Sequence, residues 1–591
     1  MITGKSGPSS ASPGHSTTGL NLLLCEADER APVLERDLGT SSATTQERLS
    51  KTVLPKTLWN EGGDPNSLPE QRWGLIIPEG DAGDRLRDLI APLIEHRKKQ
   101  QDLAEIVVVR APAKADQAEA MEWRKRNFDT GADTREDLPR YQLILGNLDQ
   151  VALAIQQVQA IDGYVGRLAF DNPEHYRAYA EKVVRYETGR QRPGPSRATF
   201  FTVHDGTEAT SAGYRSLVSP GVALAQRKVM ERKLAAREIV DLGDKVIPSR
   251  DELLAQVAAQ DPSVLFTLSH GAGAPRSGWK TAEDQRLRQG AMSFGSDGLL
   301  LGRDLANRPF LPGGIWFMLA CYGAGTPDGS AYKHWLESLS QNGEFGGPAS
   351  SVLKGLPKSG ERPFIAALPQ AVLQNPEGPL AFMGHIDLAW TYSFTELDSG
   401  SAMDRPAKFI QIISDLLKGN RSGIAFRSLM LALGSANTEL TSLYDRQAMT
   451  GAPANTKLES KRGHLWMLRQ DLASYIVLGD PAVRLPIAET NGVPDSATPT
   501  VISTATTPAT TPAATPTVTP NSASTAGSFY FGGATPIVPE PIDLDRIERA
   551  VAQVILSPQN LDSIAKEAHL SPSELRAYCD RYRRAGRAAL Q

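Results

Sequence analysis

Two near-continuous apolar runs, Val264-Leu265-Phe266-Thr267-Leu268 and Ile315-Trp316-Phe317-Met318-Leu319, constrain the fold more than any other feature of the chain. Both lack polar alternation and are bounded by turn residues. They therefore read as strands buried on both faces, at the centre of a mostly parallel sheet sandwiched by helices. Each run also ends in a reactive residue followed by glycine: Ser269-His270-Gly271-Ala272-Gly273 after the first, Ala320-Cys321-Tyr322-Gly323-Ala324-Gly325 after the second. In an open parallel sheet, ligands bind in the crevice at the carboxyl ends of the strands, so both side chains are expected to face one cleft. A thiol becomes a strong nucleophile when a neighbouring imidazole accepts its proton, and the same imidazole can return a proton to a leaving amine. Without β-carbons the glycines let a substrate backbone approach, and the N–H groups of Gly271 and Cys321 can serve as oxyanion donors. Taken singly, a buried histidine or cysteine is more often structural. Their joint placement, at positions 270 and 321, 51 residues apart, is what points to acyl transfer.

Composition divides the chain into five pieces. Residues 1–66 are Ser/Thr/Gly/Pro-rich around one apolar patch, Leu20 to Leu24, and read as a flexible N-terminal arm without chemistry. Residues 67–194 carry strand candidates at Leu75–Ile77, Ile106–Val109, Tyr141–Leu145 and Tyr164–Phe170, separated by amphipathic helices, and form a smaller α/β subdomain. Residues 195–488 hold the two central strands, with Thr199–Val203, Phe364–Leu368 and Leu380–Met383 as further strands and a helix from Asp404 through Leu417. Residues 489–540 are a Thr/Pro/Ala-rich linker, and 541–591 regain helical periodicity as a small all-α module.

Charge and cysteine content narrow the function classes. Lys+Arg 63 against Asp+Glu 67 leaves a net charge of −4, which argues against a basic surface extending over the whole chain. Three cysteines, Cys25, Cys321 and Cys579, are too few and too dispersed for a disulfide framework or a Cys-rich zinc site. Neither a leader-like N-terminus nor an 18-residue apolar run is present, so a cytoplasmic protein with no membrane contact is expected. No cofactor or metal is implied; calcium would need clustered carboxylates, and none are evident.

The segments Ser269-His270-Gly271 and Leu319-Ala320-Cys321-Tyr322-Gly323 resemble the dyad motifs of the caspase-like clan of cysteine peptidases, including CHAT-domain and gingipain-type bacterial proteins. Leu380 to Trp390 is similar to the strand and loop that follow the nucleophile in gingipain-like proteins. Leu478 to Leu485 resembles their closing segment, and Tyr164 to Leu168 the strand ending their N-terminal subdomain. The resemblance covers roughly residues 70 to 488. It implies His270 as general base and acid, Cys321 as nucleophile and Gly271 as an oxyanion donor. The caspase pentapeptide Gln-Ala-Cys-Arg-Gly is here Leu-Ala-Cys-Tyr-Gly, so cleavage after aspartate is not carried over. Basic side chains, favoured by some relatives, would need a carboxylate in the pocket; Asp297, Asp328 and Asp387 are the candidates, each weighed against plain surface solvation. His385 is a rival histidine, read as structural. Gly343 to Gly347 is expected to form part of an adjustable loop.

The C-terminal module resembles a helix-turn-helix. Arg576, Arg581, Arg583, Arg584 and Arg587 oppose the single acid Asp580 after Glu574, so contact with DNA or with a partner protein is expected there. Two functional readings follow. One is a cysteine endopeptidase acting on a protein substrate and regulated by an activating or adaptor protein or by processing. The other is a non-catalytic caspase-like scaffold that binds DNA or a partner through its helical module.

Overall fold

The two apolar runs lie side by side: Ser263–Leu268 and Ile315–Leu319 pair in parallel, with Leu268 opposite Leu319. A computed structural model describes residues 21–34, 38–39, 63–128, 138–189, 194–243, 249–259, 261–347, 350–358, 360–398, 401–450, 456–487, 565–566 and 575. In chain order the strands used below are β1 (Leu24–Glu26), β2 (Trp73–Pro78), β3 (Val107–Ala111), β4 (Tyr141–Leu145), β5 (Tyr164–Leu168), β6 (Arg197–Thr202) and β7 (Glu238–Asp241). They continue as β8 (Ser263–Leu268), β9 (Gly271–Gly273), β10 (Met292–Ser293), β11 (Leu299–Leu300), β12 (Ile315–Leu319), β13 (Gly325–Thr326), β14 (Phe364–Ile365) and β15 (Ala381–His385). A closing strand, Tyr475–Gly479, completes the main sheet.

That sheet has ten strands in the order β3-β2-β4-β5-closing-β15-β12-β8-β6-β7. Neighbours run parallel except for β15 and the closing strand, which pair antiparallel from Ala381↔Gly479 to His385↔Tyr475. The α/β class expected from the sequence, a mostly parallel sheet between helices, is the fold observed. Both faces are covered. Ile76, Ile144 and Val165 pack with Trp123, Phe128 and Ile155 on one side, while Leu75, Ile77, Leu143 and Leu145 join the larger core on the other. At the centre, Phe266 stacks on Phe317 with ring centroids 5.2 Å apart, and Phe409 of helix Ala407–Leu417 meets both rings edge-on. Phe364–Leu368 departs from the sequence reading: only Phe364–Ile365 is extended, pairing with β13 outside the main sheet, and Ala367–Gln374 is a helix. A short apolar run between turns does not distinguish strand from buried helix.

One sheet runs through both α/β segments, because the closing strand lies between β5 and β15. A buried charge cluster sits under this junction. Arg97 Nε donates to Asp480 Oδ2 at 2.8 Å, and its other nitrogens reach Glu187 at 2.6 and 2.8 Å. Trp73 Nε1 donates to Asp480 Oδ1 at 2.9 Å. Burial alone would weaken the Arg97 cation, but Asp480 and Glu187 outweigh it and hold it charged.

By internal contacts the chain divides into two units, 1–397 with 402–503, and 398–401 with 504–591. Cys579 and the arginines Arg576, Arg581, Arg583, Arg584 and Arg587 lie outside the described residues. Among the described residues no helix is long and apolar enough to cross a membrane.

Candidate active site

β8 and β12 end together, and the chain turns sharply after β12 while β8 is followed by Ser269, His270 and strand β9. Ser269 N–H donates to the Leu319 carbonyl at 3.2 Å, so the two strand ends remain hydrogen-bonded up to the residues that matter. Tyr322, following Cys321, is left-handed with φ 56°, and its N–H is held by the Asp387 carbonyl at 2.9 Å. Gly271 packs directly on the Cys321 backbone: a β-carbon at 271 would stand 1.8 Å from the Cys321 carbonyl oxygen. Gly271 and the Cys321 backbone are thus in contact at the ends of β8 and β12, where the sequence reading expects His270, Gly271 and Cys321 to face one crevice.

The imidazole of His270 is held from behind. Its Nε2 lies 3.0 Å from Thr207 Oγ1 and 3.6 Å from Asp205 Oδ2. Asp205 Oδ1 in turn accepts from the Thr207 and Thr210 hydroxyls at 2.7 and 2.8 Å. Nδ1 is buried and makes no hydrogen bond of ordinary geometry among the described residues. Burial pushes the His270 pKa down, opposed by the Asp205 charge and by the nearby Leu23 carbonyl, with the net direction downward toward neutral imidazole. The sequence reading missed Asp205 and Thr207. Their one signal was local: Asp205-Gly206-Thr207 is a turn at the end of β6, where Thr207 caps helix Glu208–Gly213.

Cys321 Sγ accepts from the Ala389 N–H at 3.1 Å and lies 3.6 Å from the Ala389 carbonyl. Burial drives its pKa well above the ordinary thiol value. Neither reactive side chain is open to water; His270 and Cys321 are both 0% exposed. Part of the cover comes from Leu22–Glu26, within the stretch read from sequence as an arm. Leu22 and Leu23 are 0% exposed, and β1 pairs in parallel with β9, Leu24 opposite Gly271. The Leu23 carbonyl accepts from the Gly271 N–H at 2.9 Å and from the Cys321 N–H at 3.2 Å. These are the two donors expected to form an oxyanion hole, and a peptide carbonyl sits between them. On the other side, the Leu23 N–H donates to the Ala389 carbonyl at 3.3 Å, and Leu22 bridges Trp390 in antiparallel register.

The candidate pocket carboxylates are dispersed. Asp297 and Asp328 are exposed. Asp387 is buried, and its oxygens accept from the Ala331 and Leu388 N–H groups at 2.8 Å each. Burial raises its pKa to about 6, against the opposing effect of these donors. His385 lies between the Asp387 carbonyl, 2.9 Å from Nδ1, and Asp471, whose Oδ1 is 3.1 Å from Nε2. Burial disfavours the His385 cation, Asp471 outweighs burial, and the net direction is up. Asp471 also accepts from the Trp390 and Ser393 N–H groups at 3.0 and 2.9 Å, so this pair anchors the loop that lies along Leu22–Leu23. Gly343 and Gly347 both have positive φ, 77° and 61°, in the turns after helix Lys333–Gln341. Among the described residues, no group of three or more His, Cys, Asp or Glu side chains is placed to hold a metal ion.

No family model matches the chain, and no curated protein matches it. Among solved structures it is similar to a protease, at 10% identity and a TM-score of 0.39, covering 70% of this chain and 78% of that one. It is similar to the Arg-specific cysteine proteinase gingipain R, at 11% identity and a TM-score of 0.37, over 70% and 78% of the two chains. It is also similar to the complex of pro- and mature domains of RgpB from Porphyromonas gingivalis, at 12% identity and 0.38, over 70% and 79%.

Proposed function

We propose that the protein is a cysteine endopeptidase that cleaves a protein substrate through Cys321 and His270 and is regulated by a partner or by processing. The observation that carries this reading is the convergence of the Gly271 and Cys321 N–H groups on a single peptide carbonyl, that of Leu23. Backbone donors aimed at one carbonyl oxygen are what a tetrahedral intermediate of acyl transfer requires. In the reaction, His270 takes the Cys321 proton and the thiolate attacks the substrate carbonyl carbon. The oxyanion is held by the two N–H groups. The C–N bond then breaks as His270 returns the proton to the leaving amine. Water, losing a proton to His270, hydrolyses the thioester and frees the thiol and the new carboxylate. Thr207 and Asp205 fix the ring, and the Asp205 charge stabilises the imidazolium formed in each half of the cycle.

The test compares hydrolysis of unfolded casein by the intact chain, by a chain beginning after residue 34, and by Cys321→Ala and His270→Ala versions of each. Hydrolysis lost in both substituted forms supports the reading. Absence of hydrolysis in every form retires it in favour of the second reading, a non-catalytic scaffold. The specific observation on that side is the complete burial of both Cys321 and His270.

A further inference from the structure

We propose that Asn21–Glu26 occupies the substrate channel of this site as a resident pseudo-substrate, and that the channel takes an extended peptide with leucine immediately ahead of the bond to be cut. The inference rests on the endopeptidase reading and adds to it the direction of binding, the preferred side chain and the chain's own occupant.

Three independent sets of contacts define the channel. Leu23 presents its carbonyl to Gly271 and Cys321 and its N–H to Ala389, while Leu22 pairs antiparallel with Trp390. An extended peptide bound by main-chain hydrogen bonds to an exposed strand edge is a general mode of recognition, in which pockets for alternate side chains set specificity. Past Leu23, the segment continues parallel to β9 through Glu26 opposite Gly273. With its carbonyl in the hole, Leu23 takes the position ahead of the scissile bond and Leu24 the position after it. Leu23 is wholly buried in the apolar core. Asp387, the one buried carboxylate among the three considered for a basic substrate, is already committed to the Ala331 and Leu388 N–H groups. The surroundings therefore suit an apolar side chain.

The occupant is fastened beyond the reactive residues. Glu26 accepts from Arg276 Nε at 2.6 Å and from Ser351 Oγ at 3.2 Å. The Val33 N–H returns to the Leu24 carbonyl at 3.0 Å, and Cys25 bridges Pro32, closing a small hairpin. These anchors touch neither His270 nor Cys321, so they can be weakened without altering either reactive group.

The experiment uses the full chain, Leu23→Asp and Glu26→Ala, with retention of fold checked by thermal melting. Alkylation of Cys321 by iodoacetamide, located by mass spectrometry, reads access to the sulfur whether or not the protein is catalytic. Expected are slow alkylation in the intact chain, an increase of tenfold or more in Leu23→Asp, and a smaller increase of two- to fivefold in Glu26→Ala. Peptidyl acyloxymethyl ketones bearing leucine, arginine or aspartate at the reacting position then read specificity, and the leucine probe should label the opened variants at least tenfold faster than the other two. Alkylation of the intact chain as fast as that of both variants overturns the resident occupant. Faster labelling by the arginine or aspartate probe overturns the leucine channel while the endopeptidase reading stands. Faster alkylation without ketone labelling or casein hydrolysis leaves the occupant in place and overturns the endopeptidase reading. If Leu23→Asp fails to fold, Glu26→Ala decides, and no gain in alkylation there overturns the occupant.

Discussion

Gly271 shows how little room a single residue has at this site. A β-carbon there would meet the Cys321 carbonyl oxygen at 1.8 Å, with backbone and not a movable side chain in the way. Gly271→Ala should therefore force β8 and β12 apart at their ends, costing about 3 kcal/mol as overpacking does. Urea unfolding should show the loss, and a midpoint equal to the parent's would refute it. Asp387 gives a prediction in pH. Its folded-state pKa of about 6 lies above the ordinary 3.8, so the native state binds that proton more tightly than the unfolded chain does. The stabilisation is complete at low pH and is lost as pH rises from about 4 to about 6. Relative to Asp387→Asn, the unfolding free energy should fall by about 3 kcal/mol across that window. A pH-independent difference would show that the carboxyl titrates normally. For His270, loss of the Asp205 charge removes the larger of the two influences that oppose burial and leaves the Leu23 carbonyl. Asp205→Asn should shift the acid limb of hydrolysis to lower pH and reduce kcat by roughly one to two orders of magnitude; an unmoved limb would show that Asp205 does not act on the ring.

Among elements, the loop from Ile386 to Ser393 does more for the site than its sequence suggests. Ala389 faces both Cys321 Sγ and the Leu23 N–H, and the neighbouring Trp390 and Ser393 amides are tied to Asp471, two residues after which helix Thr456–Ala473 ends. Asp471→Ala would remove both amide acceptors and leave His385 without its carboxylate in a dry interior. Breaking one side of such a pair costs about 3–5 kcal/mol. Thermal melting should show this loss together with faster alkylation of Cys321; an unchanged melt would mean that the loop holds without Asp471. This element was half legible. Leu380–Met383 reads as a strand from its apolar run, but nothing in the Asp387-Leu388-Ala389-Trp390 spacing announces a backbone edge for peptide pairing, because that role depends on carbonyl and N–H directions.

At the scale of the molecule, the closing strand welds two α/β segments into one sheet, and the Arg97–Asp480–Glu187 cluster lies beneath the weld. Asp480→Ala should destabilise β2–β5 and β8–β15 together by about 3 kcal/mol. Hydrogen exchange would register that as a common loss of protection; loss confined to one side would show two independently folding halves. The amino-acid sequence alone determined the α/β class and the central pair of strands. Apolar runs bounded by turn residues fit strands covered on both faces, and these two pair in parallel through Leu268 opposite Leu319. Tertiary structure alone decided that Asp205 stands behind His270 and that Leu22–Leu24, a short apolar patch in polar surroundings, is drawn between the strand ends. Such contacts join residues up to some hundreds of positions apart, and they depend on unpaired backbone groups meeting in space, which residue order does not encode.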